Sequence, residues 1–399
     1  MAPRHGWLKR VGPWVGIGTS PAALMTGGGL AQGLQGWVLV ATIVAGTAAL
    51  VGLAVAQGDL GQRLHSHLGG VVSGPLGREG ARRVASLVML LMMLGWFGVN
   101  VGVAGTATGR LLGIPDRLGM VLFALLALAL TWRGVGHLSA AALAAGVSTV
   151  VVTAIGLHLA ADRHPLVLTS AHTATHPIST IAGASMVVGY GAAFALRTPD
   201  FTSDLARRRH VLWCGLAGMG VPLVVFAVAG ASLQAATGTW NLADVLRSLG
   251  SDTLAYLLVM VGFFGSVMTN LYSGALALGA AVRVRHHPAM LAVLVVGLVI
   301  AAGGFSGRML GYLVAMAVLS PGLVVMCVLA WRDLRTPPDG WRWWGLSTWA
   351  VSSAAGAAVA AQHPGLGVLI AVVIAFLGGL RPLGAVGDTG KQPPGEGAT

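Results

Sequence analysis

Gly16-Ile17-Gly18-Thr19-Ser20-Pro21-Ala22-Ala23-Leu24-Met25-Thr26-Gly27-Gly28-Gly29 lies inside the first long apolar run of the chain, and its reading decides the fold. Pro21 has no N–H, so the Ile17 carbonyl four residues back loses its helical donor. The neighbouring glycines lower the cost of leaving helical geometry. The run therefore reads as a membrane crossing with a break in it. In hydrocarbon, freed backbone groups must be buried in protein or line a polar cavity, and half-helix ends aimed into a cavity commonly hold a polar solute or a cation.

The rest of the chain has the same character. Of its 399 residues 55% are apolar and 9% charged, and the mean hydropathy is +0.80, outside the composition of soluble domains. Twelve apolar stretches approach the roughly 20 residues that span a bilayer: 11–34, 36–57, 84–108, 118–132, 138–161, 179–198, 211–236, 253–282, 288–304, 309–331, 343–361 and 364–380. With the N-terminus in the cytoplasm, only Arg110, Arg117, Arg163, Arg247 and Arg308 of the 24 Lys and Arg face outward. That asymmetry fits the positive-inside rule, an even number of crossings, and both termini on the cytoplasmic side of the cell inner membrane. The net charge of +12 is spread through short connections rather than gathered on one face among aromatics. It therefore points to lipid headgroups as partners and not to nucleic acid. Pro21 and the glycine triplet interrupt the first run where a cleavable signal would be uniformly apolar. Residues 382–399, rich in Gly and Pro, read as a disordered cytoplasmic tail.

Chemistry inside the bilayer is narrowly bounded. All twelve acidic residues fall in loops or at the ends of apolar segments, which argues against a carboxylate-driven pump, a metalloenzyme or a carboxylate-based hydrolase. No nucleophile with a neighbouring base can be assembled, so the chain does not read as an enzyme. Cys214 and Cys327 sit in apolar runs and read as small buried hydrophobes. His164, His172 and His176 share one outer loop at irregular spacing and read as solvent-exposed rather than metal-binding.

Three further stretches carry polar or aromatic groups in mid-segment. Val187-Val188-Gly189-Tyr190-Gly191-Ala192-Ala193-Phe194 is a candidate second break in the sixth crossing. The first and sixth crossings begin two five-crossing halves, and paired interruptions at corresponding positions point to a transporter built from inverted repeats. A lone Gly-x-Gly more often marks close helix packing. Gly95-Trp96-Phe97-Gly98-Val99-Asn100 places Trp96 away from the interfacial belt. Its indole can stack on a flat ring, worth about 1–3 kcal/mol for a nucleobase; the alternative is a packed core aromatic with a bonded N–H. In the eighth crossing Ser266, Thr269, Asn270 and Ser273 share one helical face, which is expected to look into the bundle. The alternative is hydroxyls bonded back to their own helix.

With these residues in place, the sequence resembles the nucleobase:cation symporter-1 (purine/cytosine permease) family, most closely bacterial cytosine permeases. The resemblance rests on Thr26-Gly27-Gly28, Gly95-Trp96-Phe97-Gly98-Val99, Pro199-Asp200-Phe201 followed by Arg207-Arg208-Arg209, and Leu271-Tyr272, in the family's order. It implies an all-α membrane protein of twelve transmembrane helices with a 5+5 inverted-repeat core of the amino acid-polyamine-cation transporter type. Helices 1 and 6 would be discontinuous and two C-terminal helices would follow. The first repeat would be 1–162, the second 163–336, and the last two helices 337–381.

The resemblance further implies a secondary active permease that imports a nucleobase or related flat heterocycle, such as cytosine, a purine or a hydantoin-like ring, by alternating access. Trp96 falls on the tryptophan that stacks on the ring. By family position Ala22, Ala23, Met93, Gly189, Tyr190, Gly191, Gly262, Ser266 and Asn270 would line the solute. Gly16, Ile17, Ser20, Gly265 and Ser266 would surround a partly degenerate Na⁺ site, with no other cofactor. The chain departs from the family at instructive places. Met93 stands for a glutamine, Tyr190 and Gly191 for a serine and a phenylalanine, and Gly262, Gly265 and Ser266 for an asparagine and paired threonines. A thioether cannot read a base edge as an amide does. Fewer oxygens predict weak Na⁺ coupling, or H⁺-linked or uncoupled transport. Depletion of the same positions also motivates a different reading, a transporter-like sensor or scaffold that binds a heterocycle without flux. The sequence leaves the oligomeric state open.

Overall fold

Ser20-Pro21 begins a helix rather than kinking one. A residue before proline is pushed to extended backbone, and proline is well placed at the first helical position, where its missing N–H has no partner to lose. In the computed structural model, which describes residues 5–132, 136–161, 177–248, 252–330 and 339–380, Ser20 is extended and its hydroxyl accepts from the Ala22 N–H at 3.3 Å. This cap starts α2 (Pro21–Ala31) and separates it from α1 (Gly12–Gly18). The first crossing is thus two half-helices joined at Thr19 and Ser20.

The remaining crossings follow the apolar periodicity to within a few residues. They are α3 (Gly36–Leu64), α5 (Ser86–Leu112), α6 (Asp116–Trp132), α7 (Gly136–Ala161) and α8 (Thr180–Thr202), with α4 (Leu68–Gly80) between the second and third. The seventh joins α9 (Arg208–Trp213) through a π turn (Cys214–Gly220) to α10 (Val221–Thr237). After a short α11 (Leu242–Ser248) come α12 (Asp252–Val282), α13 (His286–Ala302), α14 (Met309–Leu329), α15 (Trp343–Gln362) and α16 (Pro364–Gly379). Among the described residues, seven helical stretches are long and apolar enough to cross a membrane and two shorter ones are apolar. The other three expected crossings fall on the broken pair, on α6 and on α15. The outer-loop histidines and the tail after Pro382 lie outside the described residues.

Small residues bring these helices together, as expected where lipid offers no hydrophobic driving force between them. The second crossing packs on the sixth, the seventh on the first, and the third on the eighth. A Cβ on Gly27 would lie 1.8 Å from the Ala227 carbonyl oxygen and one on Gly230 1.9 Å from that of Leu24, so these two glycines serve contact between α2 and α10, whereas a Cβ on Gly29 would lie 2.7 Å from Leu310 of α14. Trp14 on α1 is fully buried, edge-on to Phe194 at 5.1 Å. It sits over Gly215 and Gly218 of the π turn, where a Cβ would meet it at 3.7 and 3.0 Å.

The expectation of a discontinuous sixth helix is corrected. α8 runs unbroken from Thr180 to Thr202 through Gly189-Tyr190-Gly191. Two residues apart on a helix means roughly opposite faces, and each glycine serves one of them. A Cβ on Gly189 would lie 1.8 Å from the Leu313 carbonyl oxygen of α14, and one on Gly191 2.5 Å from Leu50 of α3. With no proline next to it, the pair lets α8 lie between two neighbours without leaving helical geometry; the one proline of α8, Pro199, lies more than two turns further on.

Candidate functional site

The break in the first crossing frees the Ile17 carbonyl as the sequence predicts, and a side chain from the sixth answers it. Tyr190, pointing from α8 between its two glycine faces, donates its hydroxyl to the Ile17 oxygen. The Ser20 N–H approaches the same oxygen at 3.5 Å. Tyr190 is 1% exposed, and its ring lies edge-on to Trp96, with centroids 5.7 Å apart and planes at 88°. The residue expected to stack on the solute and one expected to line it are therefore neighbours, and Tyr190 adjoins the break.

Trp96 is 7% exposed, turned into the protein rather than toward lipid. A second tyrosine that the sequence reading missed, Tyr312 of α14, meets it at 5.5 Å and 87°. Tyr312 donates to the Met92 carbonyl at 2.6 Å. It reaches α5 because residue 95 is glycine: a Cβ there would lie 2.3 Å from its ring. The chain has only four tyrosines, and two of them meet at this indole. Asn100, one helical turn after Trp96, was also missed; it is buried and its Oδ1 has no partner among the described residues. A buried carbonyl oxygen left unpaired costs about 1–3 kcal/mol, which a donor on a bound solute would recover.

The other expected site residues divide. Ala22 and Ala23 are buried in the first turn of α2. Gly262 of α12 faces the break, where a Cβ would lie 3.0 Å from Pro21 Cγ and 3.5 Å from the Thr149 hydroxyl of α7. Ser266 is half-buried and Asn270 buried on the same helix. Thr269 departs from the expected inward face: it is exposed and bonds back to the Gly265 carbonyl at 2.8 Å. Met93 packs on α12, its Cβ 3.5 Å from where a Cβ on Gly274 would stand. Gly189 and Gly191 are packing contacts, as above. Gly16 is exposed, and nothing lies within 4 Å of the place its Cβ would take. Among the described residues no three His, Cys, Asp or Glu side chains gather as a metal site. A groove of about 500 Å³ runs along α5, α13 and α14 behind Tyr312, lined by Leu91, Val296, Val299 and Met316. Leu91 and Val299 are exposed large apolar residues, so the groove belongs to the lipid face rather than to Trp96.

At one end of the bundle the charges pair across elements. Asp204 pairs with Arg10, and the backbone of His5 bonds to Asp204 and Ala206. Arg208 reaches Asp59 at 2.9 Å, where Arg63 also lies at 2.7 Å. Asp200 accepts from the Leu68 N–H at 2.8 Å, capping α4, and lies 3.6 Å from Arg197, which donates to Ser273 at 2.9 Å. The basic cluster following Asp200 and Asp204 is thus not their main partner. The Arg10–Asp204 pair is partly exposed, so Arg10→Ala should lower stability by less than about 1 kcal/mol. Asp200→Ala strands both a helix N–H and an arginine and should cost about 2 kcal/mol. Thermal unfolding of the two variants checks the order.

No protein-family model and no curated protein matches the chain, but solved structures do. Mhp1, a nucleobase-cation-symport-1 family transporter in a closed conformation with bromovinylhydantoin bound, superposes with a TM-score of 0.76 at 18% identity over 94% of this chain and 91% of that one. The inward facing conformation of Mhp1 gives 0.81 at 17% identity, covering 95% and 91%. This chain has the Mhp1 fold. A manganese transporter of Eremococcus coleocola, as its H236A mutant, follows at 0.59 and 15% identity, covering 92% and 91%. The Mhp1 likeness covers nearly the whole chain, and with the apolar helices it establishes an all-α membrane protein.

Proposed function

We propose that this chain is a secondary transporter that moves a nucleobase-like flat heterocycle across the cell inner membrane by alternating access, and that it is not an enzyme. The observation that supports this most directly is the junction of a broken first crossing, Tyr190 and Trp96 in one buried cluster. The reciprocal packing of second on sixth and seventh on first is what two inverted halves would produce, and it favours the division into 1–162 and 163–336. Mhp1, with the same fold, has bromovinylhydantoin bound, a ring small and flat enough to suit a stacking platform.

In this reading Trp96 stacks on the solute, Tyr190 and Tyr312 fix the indole edge-on, and Asn100 reads one polar edge. Alternating access would expose the cluster to each side in turn, with the charge pairs Arg10–Asp204 and Arg208–Asp59 closing the cytoplasmic end. Thermal-shift screening of the purified protein against purines, pyrimidines and hydantoins identifies the class, because a ligand at 100 times its Kd stabilises the folded state by about 2.7 kcal/mol. No shift with any of them contradicts the proposal. Asn100→Leu keeps a similar volume but removes the amide, and should weaken binding of the best ligand about 10- to 100-fold; isothermal titration measures it. Binding without uptake into proteoliposomes would favour the sensor reading, for which the enclosed state of Trp96 is the supporting observation.

A further inference from the structure

We propose that the Tyr190 hydroxyl takes the place of a coupling cation at the break in the first crossing, so that solute movement through this chain is not tied to Na⁺. The inference rests on the transporter reading above and concerns how that same site is driven. A cation held at a helix break needs the carbonyl that the break sets free, together with several further oxygens. The freed Ile17 carbonyl is already engaged: the Tyr190 hydroxyl donates to it and the Ser20 N–H approaches from the other side.

The facing wall does not supply the missing ligands. Gly262 brings no side-chain oxygen and stands so close to Pro21 that one added carbon would lie 3.0 Å from the proline ring. The segment from Gly12 to Ala31 contains no Asp or Glu that would offset the cost of bringing a bare charge out of water. A neutral phenol satisfies the orphan carbonyl without that cost. It also links the break to Trp96, because the Tyr190 ring that carries the hydroxyl rests against the indole.

The residues present therefore do not fit a Na⁺ site while Tyr190 keeps its hydroxyl. The test compares thermal unfolding of the purified full chain in NaCl and in choline chloride, each at about 0.15 M, for the natural protein and for Tyr190→Phe. The phenylalanine retains the ring contact with Trp96 and removes the phenol donor from the Ile17 carbonyl. The natural protein should melt at the same temperature in both salts, and Tyr190→Phe, which takes the donor from the Ile17 carbonyl without adding a ligand, should melt about 2 °C or more below the natural protein, equally in each salt. Stabilisation of the natural protein by Na⁺ overturns the proposal, and so does a Tyr190→Phe variant that melts at the natural temperature. Neither measurement uses a heterocycle, so the result stands apart from whether the solute class is right. Once a solute is known, uptake by the natural protein should change by less than about twofold when choline replaces Na⁺; a steep Na⁺ dependence again overturns it.

Discussion

Trp96→Ala should abolish saturable uptake of whichever heterocycle the natural protein binds, while the protein still purifies as a monodisperse membrane bundle. Losing a stacking face costs about 1–3 kcal/mol per ring, or roughly 5- to 150-fold in affinity. Truncation also takes away the surface against which Tyr190 and Tyr312 are fixed, at 5.7 and 5.5 Å. The cavity left behind costs stability as well, about 3–5 kcal/mol for a buried tryptophan, so the alanine variant alone confounds two effects. Trp96→Phe separates them: it keeps an aromatic face and much of the volume, and should retain measurable binding. Radiolabelled uptake in proteoliposomes, read beside unfolding temperatures of both variants, checks the pair. An alanine variant that transports at the natural rate would remove Trp96 from the site.

Gly189→Ala should be among the most damaging single-methyl additions in the chain. Its new carbon would lie 1.8 Å from the Leu313 carbonyl oxygen, and that obstacle is backbone inside α14, which cannot rotate aside. Overpacking of a well-filled interior costs about 1–3 kcal/mol and sometimes more, and a rigid neighbour puts this case at the upper end. Gly191→Ala meets only the end of Leu50, at 2.5 Å, and a flexible side chain can yield, so it should cost clearly less. The contrast matters because a glycine serving as a hinge would, on substitution, change transport before it changed stability. Unfolding temperatures that fall in the order natural protein, Gly191→Ala, Gly189→Ala support the packing role. Equal, small losses with transport abolished would restore the hinge.

These glycines mark where sequence reading gave out. Hydropathy is a local property, so the crossings from Gly12 to Gly379 were legible to within a few residues. The break at Thr19 and Ser20 was legible too, because a serine before a proline limits the backbone whatever surrounds it. Gly189 and Gly191 look the same in sequence whether they free a helix or admit a neighbour, and only the positions of Leu313 and Leu50 decide. The pairing of Asp204 with Arg10 rather than with the nearby arginine cluster is likewise fixed by which ends of the bundle meet. Of the candidate site, Trp96, Tyr190 and Ile17 were found because proline chemistry and mid-membrane placement single them out. Tyr312 came from a tenth crossing that carries no comparable local sign. Asn100 was in view within the quoted motif, but its unpaired oxygen shows only once the helices are assembled.

The seat of Trp14 sets a condition on how the protein can open. An indole buries about 150–250 Å², so drawing it out into water would cost roughly 4–6 kcal/mol at 25 cal/mol per Å². That is a high barrier to carry through every turnover. The shorter arm of the first crossing can therefore swing only as far as the wide turn of the seventh swings with it, the two travelling as one lever about the Ser20 joint.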